Sequence, residues 1–315
     1  NRIVYVGCAI RRIAGIINDR YNEKHNIKYA RFGWLDFVND KKVLMLLFQA
    51  ARQWALSENM EYLHGPLGFS SFDASGILIG GFDEMSTSFA HYNFPYYSKL
   101  IEEFGYKKDV DWVEYNIKVP EYVPEKFVVG AELIKKRYNL HSASLKNKKD
   151  ILKYADDIFK LINNEYKDIY AFSQLSKKQI MALKKQFALF LRPEYISIVL
   201  NSTNEVVAFG ITMPSLAQAQ QKAKGKLFPF GFIHIMNALK KNNTVEALLI
   251  AVKKDYQNKG VNGIIFTDIM SAYIKNGINN FESTREMENN VKINNLWNKF
   301  EYRQHKRTRC YIKQL

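Results

Sequence analysis

The sequence predicts an α/β protein built on mixed sheets, with helices flanking them (an α+β mixed-sheet layout). Two stretches predict it: in each, a strand-like run leads through a short loop into a helix-spaced run and then a second strand-like run. Between them, 195–200 and 206–213 read as a hairpin around 201–205. An apolar fraction of 47% over 315 residues is enough for the cores of about two domains.

Taken in order, Ile3-Val4-Tyr5-Val6 reads as a strand. Residue 1 is Asn rather than Met and the strand follows at once, so the chain is expected to begin inside a domain. Residues 29–38 are strand-like, Asn39-Asp40 can open a helix, and 41–59 carries helical spacing at Val43, Leu47, Ala50 and Trp54 before a strand at 61–64. Gly65-Pro66-x-Gly68 and Gly80-Gly81 are expected to shape turns, since no helical pattern starts directly after either. Two prolines and a loss of periodicity at 119–124 place a junction near Glu121, dividing the chain into 1–120 and 121–315. Beyond it come a helix at 126–137, a strand at 138–145, helices at 151–166 and 177–191, and the hairpin. Residues 217–243 are long for a connection, with Lys222, Lys224 and Lys226 ahead of Phe228-Pro229-Phe230-Gly231 and a helix to Leu239, so a functional or mobile flap is expected there. A strand at 245–252 then enters a glycine-bearing loop, a helix at 261–276 with Val261, Ile265, Ile269 and Ala272 on one face, and a strand at 279–284. A strand at 309–313 ends the chain.

Composition narrows the function. No apolar run nears the roughly 18 residues a membrane helix needs, so no integral membrane segment is expected. The two cysteines, Cys8 and Cys310, lie at opposite ends and form neither a disulfide framework nor a metal-ligand spacing, which fits a cytoplasmic protein. The six histidines share no ligand spacing either, so no metal is expected. A net charge of +15 favours anionic partners such as coenzyme A, acidic substrates or RNA. No RNA-binding motif accompanies the basic run His305-Lys306-Arg307-x-Arg309, so a nucleic-acid partner is not expected. The lysine-rich insertion is also compatible with an anionic membrane surface.

The loop between 252 and 263 carries the chemistry. Gln257-x-x-Gly260-x-Asn262-Gly263 places small residues where the chain must turn and a helix must open. Unpaired N–H groups at a helix N-terminus, with loop amides beside them, form a cradle for a diphosphate, which points to a nucleotide-bearing cofactor. This loop resembles the phosphate-loop signature of the GNAT superfamily of acyl-CoA-dependent N-acyltransferases: Gln or Arg, two residues, Gly, one residue, then Gly or Ala. Here Asn262 stands at the last place and Gly263 follows it. Further along, Glu288-Asn289-Asn290 sits where that family often has an asparagine opening its last helix. Trp297 and Phe300-Glu301-Tyr302 lead into the final strand. The whole chain resembles a two-domain bacterial branch, tandem GNAT-like domains with a degenerate first one, through Arg31-Phe32-Gly33-Trp34, Gly65-Pro66, Gly80-Gly81-Phe82 and Tyr92-Asn93-x-Pro95-Tyr96-Tyr97. The first half has Val38-Asn39-Asp40-Lys41-Lys42 where the glycine loop would be and is not expected to bind coenzyme A.

The resemblance implies acyl transfer from acetyl-CoA or a longer acyl-CoA to an amine on a small molecule or peptide. It implies that the diphosphate lies on Gln257, Asn258, Lys259, Gly260, Val261, Asn262 and Gly263, and that main-chain N–H groups near Leu249, Ala251 and Val252 hold the pantetheine arm. Lys253, Lys254 and Lys259 would add charge around the diphosphate or the 3′-phosphate. Asn290 would hold the arm or cap the last helix, and Trp297 takes the place where many relatives have an acidic tyrosine. Indole is no acid at neutral pH, so packing is the expected role of Trp297 and Tyr302 the candidate acid. For a base, the best carboxylates are Glu246, near the start of the central strand, and Glu288, beside Asn290; burial would raise either pKa toward the useful range. Two alternatives stay open. One is a Fem-like aminoacyl transferase using charged tRNA, the other a non-catalytic acyl-CoA-binding protein.

Overall fold

The computed structural model describes residues 2–8, 11–290 and 297–315. Its first half runs β1 (Arg2–Cys8), β2 (Arg11–Ile17), α1 (Asp19–His25), β3 (Tyr29–Asp36), α2 (Lys41–Ser57), β4 (Tyr62–Gly65), β5 (Ile77–Gly80), α3 (Tyr96–Glu103) and β6 (Lys107–Lys118). After the linker come α4 (Glu125–Tyr138), β7 (His141–Ser142), α5 (Lys148–Lys153), α6 (Ala155–Glu165), α7 (Lys177–Phe187), β8 (Ile196–Leu200) and β9 (Val206–Pro214). The chain closes with α8 (Ala217–Lys222), α9 (Gly231–Lys240), β10 (Thr244–Val252), α10 (Val261–Lys275), β11 (Asn280–Glu282), β12 (Glu286–Met287) and β13 (Tyr302–Gln314).

The fold is mixed α/β with helices flanking the sheet, and the expected pair of sheets is a single one. Among the described residues, all strands join in the order β1-β2-β3-β4-β13-β6-β11-β10-β9-β8-β7, with β12 added to β6 and β5 to β13. The join is made by the last strand. β13 pairs on one side with β4, Tyr311 opposite Gly65, and on the other with β6, Tyr302 opposite Ile117 and Ile312 opposite Lys107. Such a double pairing needs a long strand, which is why β13 spans 302–314 where the sequence reading has only 309–313.

The repeat seen in sequence has a structural counterpart. β3-α2-β4 and β10-α10-β11 are both strand-helix-strand crossovers returning to a parallel neighbour. Asp40 caps α2 by accepting from the Lys42 N–H at 2.7 Å. Leu44, Leu47, Phe48, Ala51 and Ala55 then turn one stripe into the first core. That stripe lies next to the expected one, with Val43 and Trp54 at its margin. On α10, Val261, Ile265 and Ile269 are buried as expected, with Ala272 at the edge. One helix and one strand differ from expectation. Residues 151–166 are split at Tyr154, because a capping box of Asn147 and Asp150 starts α5 earlier and Tyr154 ends it. The expected strand at 138–145 shrinks to two residues, since α4 continues to Tyr138 and ends on left-handed Asn139.

Candidate active site

β10 is where the sheet opens. Its first residues, Thr244 to Glu246, pair in parallel with Asn280 to Glu282 on β11, and there the pairing stops. On its other edge β10 stays with β9 as far as Val252 opposite Ala208, after an irregularity between Ala247 and Leu249. The strands β10 and β11 therefore splay from Ala247 onward. The same divergence in the first half is filled: β3 leaves β4 after Arg31, and there Leu67 donates its N–H to Phe32 O at 2.8 Å while the Arg31 guanidinium bonds Gly68 O and Ala171 O.

The opening at β10 leads into a cavity of about 1480 Å³, walled by both halves of the chain. Leu67 and Trp112 come from the first half, Ile158 and Tyr166 from the α6 region, Phe187 from α7 and Phe266 from α10. The wall is mainly hydrocarbon and aromatic, the character of a site for an apolar ligand.

At one border of this cavity lies the glycine loop. Gly260 has φ +79° and Asn258 φ +58°, two left-handed turns that bring the chain round into α10. Gly263 N–H bonds Gly260 O at 2.8 Å. Among the described residues, no carbonyl accepts from the main-chain N–H of Lys259, Gly260, Val261 or Asn262. Open donors at the start of a 15-residue helix suit an anion. Gln257 is committed elsewhere: its side-chain amide donates to Val252 O at 2.9 Å and to Glu165 at 3.1 Å, tying the loop to β10 and α6. The Lys259 ammonium lies over the Tyr138 and Tyr256 rings, 5.1 and 5.6 Å from their centroids, and is not part of the cavity wall. Leu249, Ala251, Val252, Gln257, Asn258, Gly260, Val261, Asn262, Gly263, Asn290 and Trp297 all border the cavity. Residues 291–296, where the helix that Asn290 is expected to open would start, lie outside the described residues.

One contact alters the expected path of the arm. The Tyr166 hydroxyl donates to Ile250 O at 2.8 Å and accepts from Ile250 N–H at 3.3 Å, on the open edge of the strand. A ligand pairing with β10 at Ile250 must displace this hydroxyl.

The three expected catalytic residues are not brought to the cavity. Glu246 is 1% exposed and accepts from Ser88 N–H, Ser88 Oγ and the Ser215 hydroxyl. Burial raises its pKa and these donors oppose the rise. It fastens β10 to the 81–95 segment. Glu246→Ala is therefore expected to cost about 1–3 kcal/mol for each donor left unpaired, read as a fall in the urea midpoint. Glu288 bonds Lys108 and, at 2.8 Å, Arg307; the Lys108 hydrogen bond leads in holding its carboxyl below the usual range, which unfits it as a base. Tyr302 is 39% exposed and donates to Asn298 at 2.7 Å on the far end of β13.

The structure supplies a carboxylate that the sequence reading missed. Glu286 on β12 borders the cavity, and the Trp297 indole N–H points at both its oxygens, at 3.2 and 3.1 Å. Burial pushes its pKa up to about 7, against the Trp297 and Ser283 hydrogen bonds. Trp297 itself is 4% exposed, packed on Phe266 and Phe281. Its ring packs, as expected, and its N–H holds the Glu286 carboxylate. The neighbouring Arg285 also lines the cavity, with its guanidinium on Ser75 O and Asp73 O. Nothing in a run such as Glu282-Ser283-Thr284-Arg285-Glu286 marks the second glutamate over the first; only the pairing of β12 with β6 aims it inward. Among the described residues, no group of three or more His, Cys, Asp or Glu is placed to hold a metal, and no helix is long and apolar enough to cross a membrane.

No protein-family model matches the chain. Two curated proteins are similar to it. Protein YghO of Escherichia coli is 23% identical across 98% of this chain and 80% of its own length. The bacterial ceramide synthase of Caulobacter vibrioides is 25% identical across 72% of this chain, and the match spans 59% of that protein. Among solved structures, a GCN5-related N-acetyltransferase from Sphaerobacter thermophilus superposes with a TM-score of 0.51 at 8% identity, covering 97% of this chain and 76% of that one. A GCN5-related glucosamine N-acetyltransferase region of a fungal multi-domain β-N-acetylglucosaminidase gives 0.55 at 11% identity, covering 96% and 31%. This chain is thus a distant relative of YghO and of the bacterial ceramide synthase, with the fold of the GCN5-related N-acetyltransferases.

Proposed function

We propose that the protein is an N-acyltransferase that takes a long acyl group from coenzyme A and passes it to an amine. The observation that carries this reading is the splay of β10 from β11, with open loop amides at its border and a large apolar cavity behind it. Lys259 to Asn262 would receive the diphosphate through their N–H groups. The cavity walls would take the acyl chain, each buried methylene contributing about 0.8 kcal/mol. Acyl-CoA supplies an activated thioester carbonyl for the amine to attack. Glu286 accepts a proton from the amine as the C–N bond forms, and the C–S bond breaks; the departing thiolate takes that proton back. The name of the Caulobacter relative supports a long acyl group, because a ceramide carries a fatty acyl chain on the nitrogen of an amino alcohol.

A thermal-shift series with acetyl-, octanoyl- and palmitoyl-CoA tests this. Stabilisation is expected to grow with chain length at equal ligand concentration, through ligand linkage. Equal shifts along the series would remove the acyl chain from the cavity. The Tyr166 contact at Ile250 favours a second reading, aminoacyl transfer from charged tRNA, which has no pantetheine arm to lay along β10. No shift with any acyl-CoA, together with binding of tRNA, would select it.

A further inference from the structure

The insertion at 217–243 carries a surface that the transfer chemistry leaves unused. Phe228 is 78% exposed and Phe230 69%, with Leu227 at 56% beside them. On α9, Phe232, Ile233 and Met236 share an outward face, while Ile235 and Leu239 are half-buried on the other. A soluble protein rarely leaves so many large apolar groups together in water unless something covers them.

The charge around this cluster has one sign. No Asp or Glu occurs between Ala217 and Asn243. Lys222, Lys224 and Lys226 precede the phenylalanines, and Lys240 and Lys241 follow α9. Among the described residues, none of these five ammonium groups is in an ion pair. Aromatic side chains flanked by unpaired cations complement the boundary of an anionic bilayer, where rings sit at head-group level and lysines meet phosphates. A second copy of this chain fits poorly, since it would bring the same lysines and a net charge of +15.

The insertion that carries this surface is anchored, at its start, next to the cavity wall. Leu216 N–H donates to Ser88 Oγ at 2.7 Å and the Gln220 side chain to Ser88 O at 3.3 Å, docking α8 on the first half. The next residue, Phe89, borders the cavity and meets Phe187 edge-on at 5.4 Å.

We propose that Phe228, Phe230 and the outward face of α9, with their flanking lysines, dock this protein on an anionic lipid bilayer beside the cavity. The inference stands on this surface alone and is tested without any acyl-CoA. Co-sedimentation of the full chain with phosphatidylcholine vesicles, with and without phosphatidylglycerol, is the measurement. Binding to the phosphatidylglycerol vesicles is expected to be at least about tenfold tighter and to weaken with salt. Phe228→Ser with Phe230→Ser, at positions too exposed to support the fold, is expected to reduce it about tenfold or more. Lys222→Glu, Lys224→Glu and Lys226→Glu together should remove the preference for the anionic lipid. Failure to bind phosphatidylglycerol vesicles would overturn the proposal, as would equal binding by wild type and the phenylalanine variant. So would a self-association in sedimentation that this variant abolishes, which would assign the surface to a second copy.

Discussion

Replacing Glu286 by glutamine is expected to lower kcat for acyl transfer by about 10²–10⁴-fold, the usual contribution of a positioned base. The variant should leave the site standing, because a glutamine oxygen can still accept from the Trp297 indole that now bonds both carboxylate oxygens. The pH profile separates a base from a packing residue. A base must be ionised, and burial pushes the Glu286 pKa up to about 7, so wild-type kcat should rise with pH through about 7 and level off above it. In the variant that rise should be gone. Stability moves the opposite way. A folded-state pKa above the ordinary 4.5 means that the folded chain holds this proton more tightly than the unfolded one. The resulting stabilisation is complete below about 4.5 and is lost as pH rises through about 7. Urea midpoints of wild type should therefore fall relative to the variant between pH 5 and pH 8. A variant that keeps its activity and its pH profile would remove Glu286 from the chemistry.

That residue shows where sequence reasoning stops. The glycine loop was legible because a helix start and a left-handed turn are local requirements, met by Gly260 and the helical spacing after it. The crossovers were legible for the same reason: periodicity and capping act within one turn or one strand. Glu246 reads as a candidate base near the start of its strand, yet its side chain is spent on Ser88, more than 150 residues away in the chain. Glu288 is likewise claimed by Lys108 and Arg307 from β6 and β13. Whether a carboxylate is paired, buried or free depends on which distant strands lie beside it. The sequence reading has no strand over β6, although Val113, Tyr115 and Ile117 alternate on one face, and only 309–313 of β13. Without β6 and most of β13, neither the shared sheet nor the direction of Glu286 is legible.

Gly260→Asp carries the largest expected effect on ligand binding, and Gly260→Ala shows why. Both substitutions place a Cβ on a residue with φ +79°, at a cost of roughly 1–2 kcal/mol. In both, that carbon would stand 2.7 Å from Ile134 Cδ1, the end of a flexible side chain that can turn aside. Their effects on the unfolding midpoint should therefore be similar. They differ by one negative charge at the mouth of the loop. Two unit charges about 4 Å apart repel by about 4 kcal/mol at an effective dielectric near 20, and solvent at the loop reduces this. A loss of acyl-CoA affinity at least about tenfold greater for Asp than for Ala is expected, which is about 1.4 kcal/mol. Added salt should narrow the gap. Titration calorimetry of both variants with coenzyme A reads the difference directly. If Asp and Ala weaken binding equally, the loop meets no anion, and the open N–H groups of Lys259 to Asn262 have some other partner. A difference that shrinks with salt is what a diphosphate on those four amides requires.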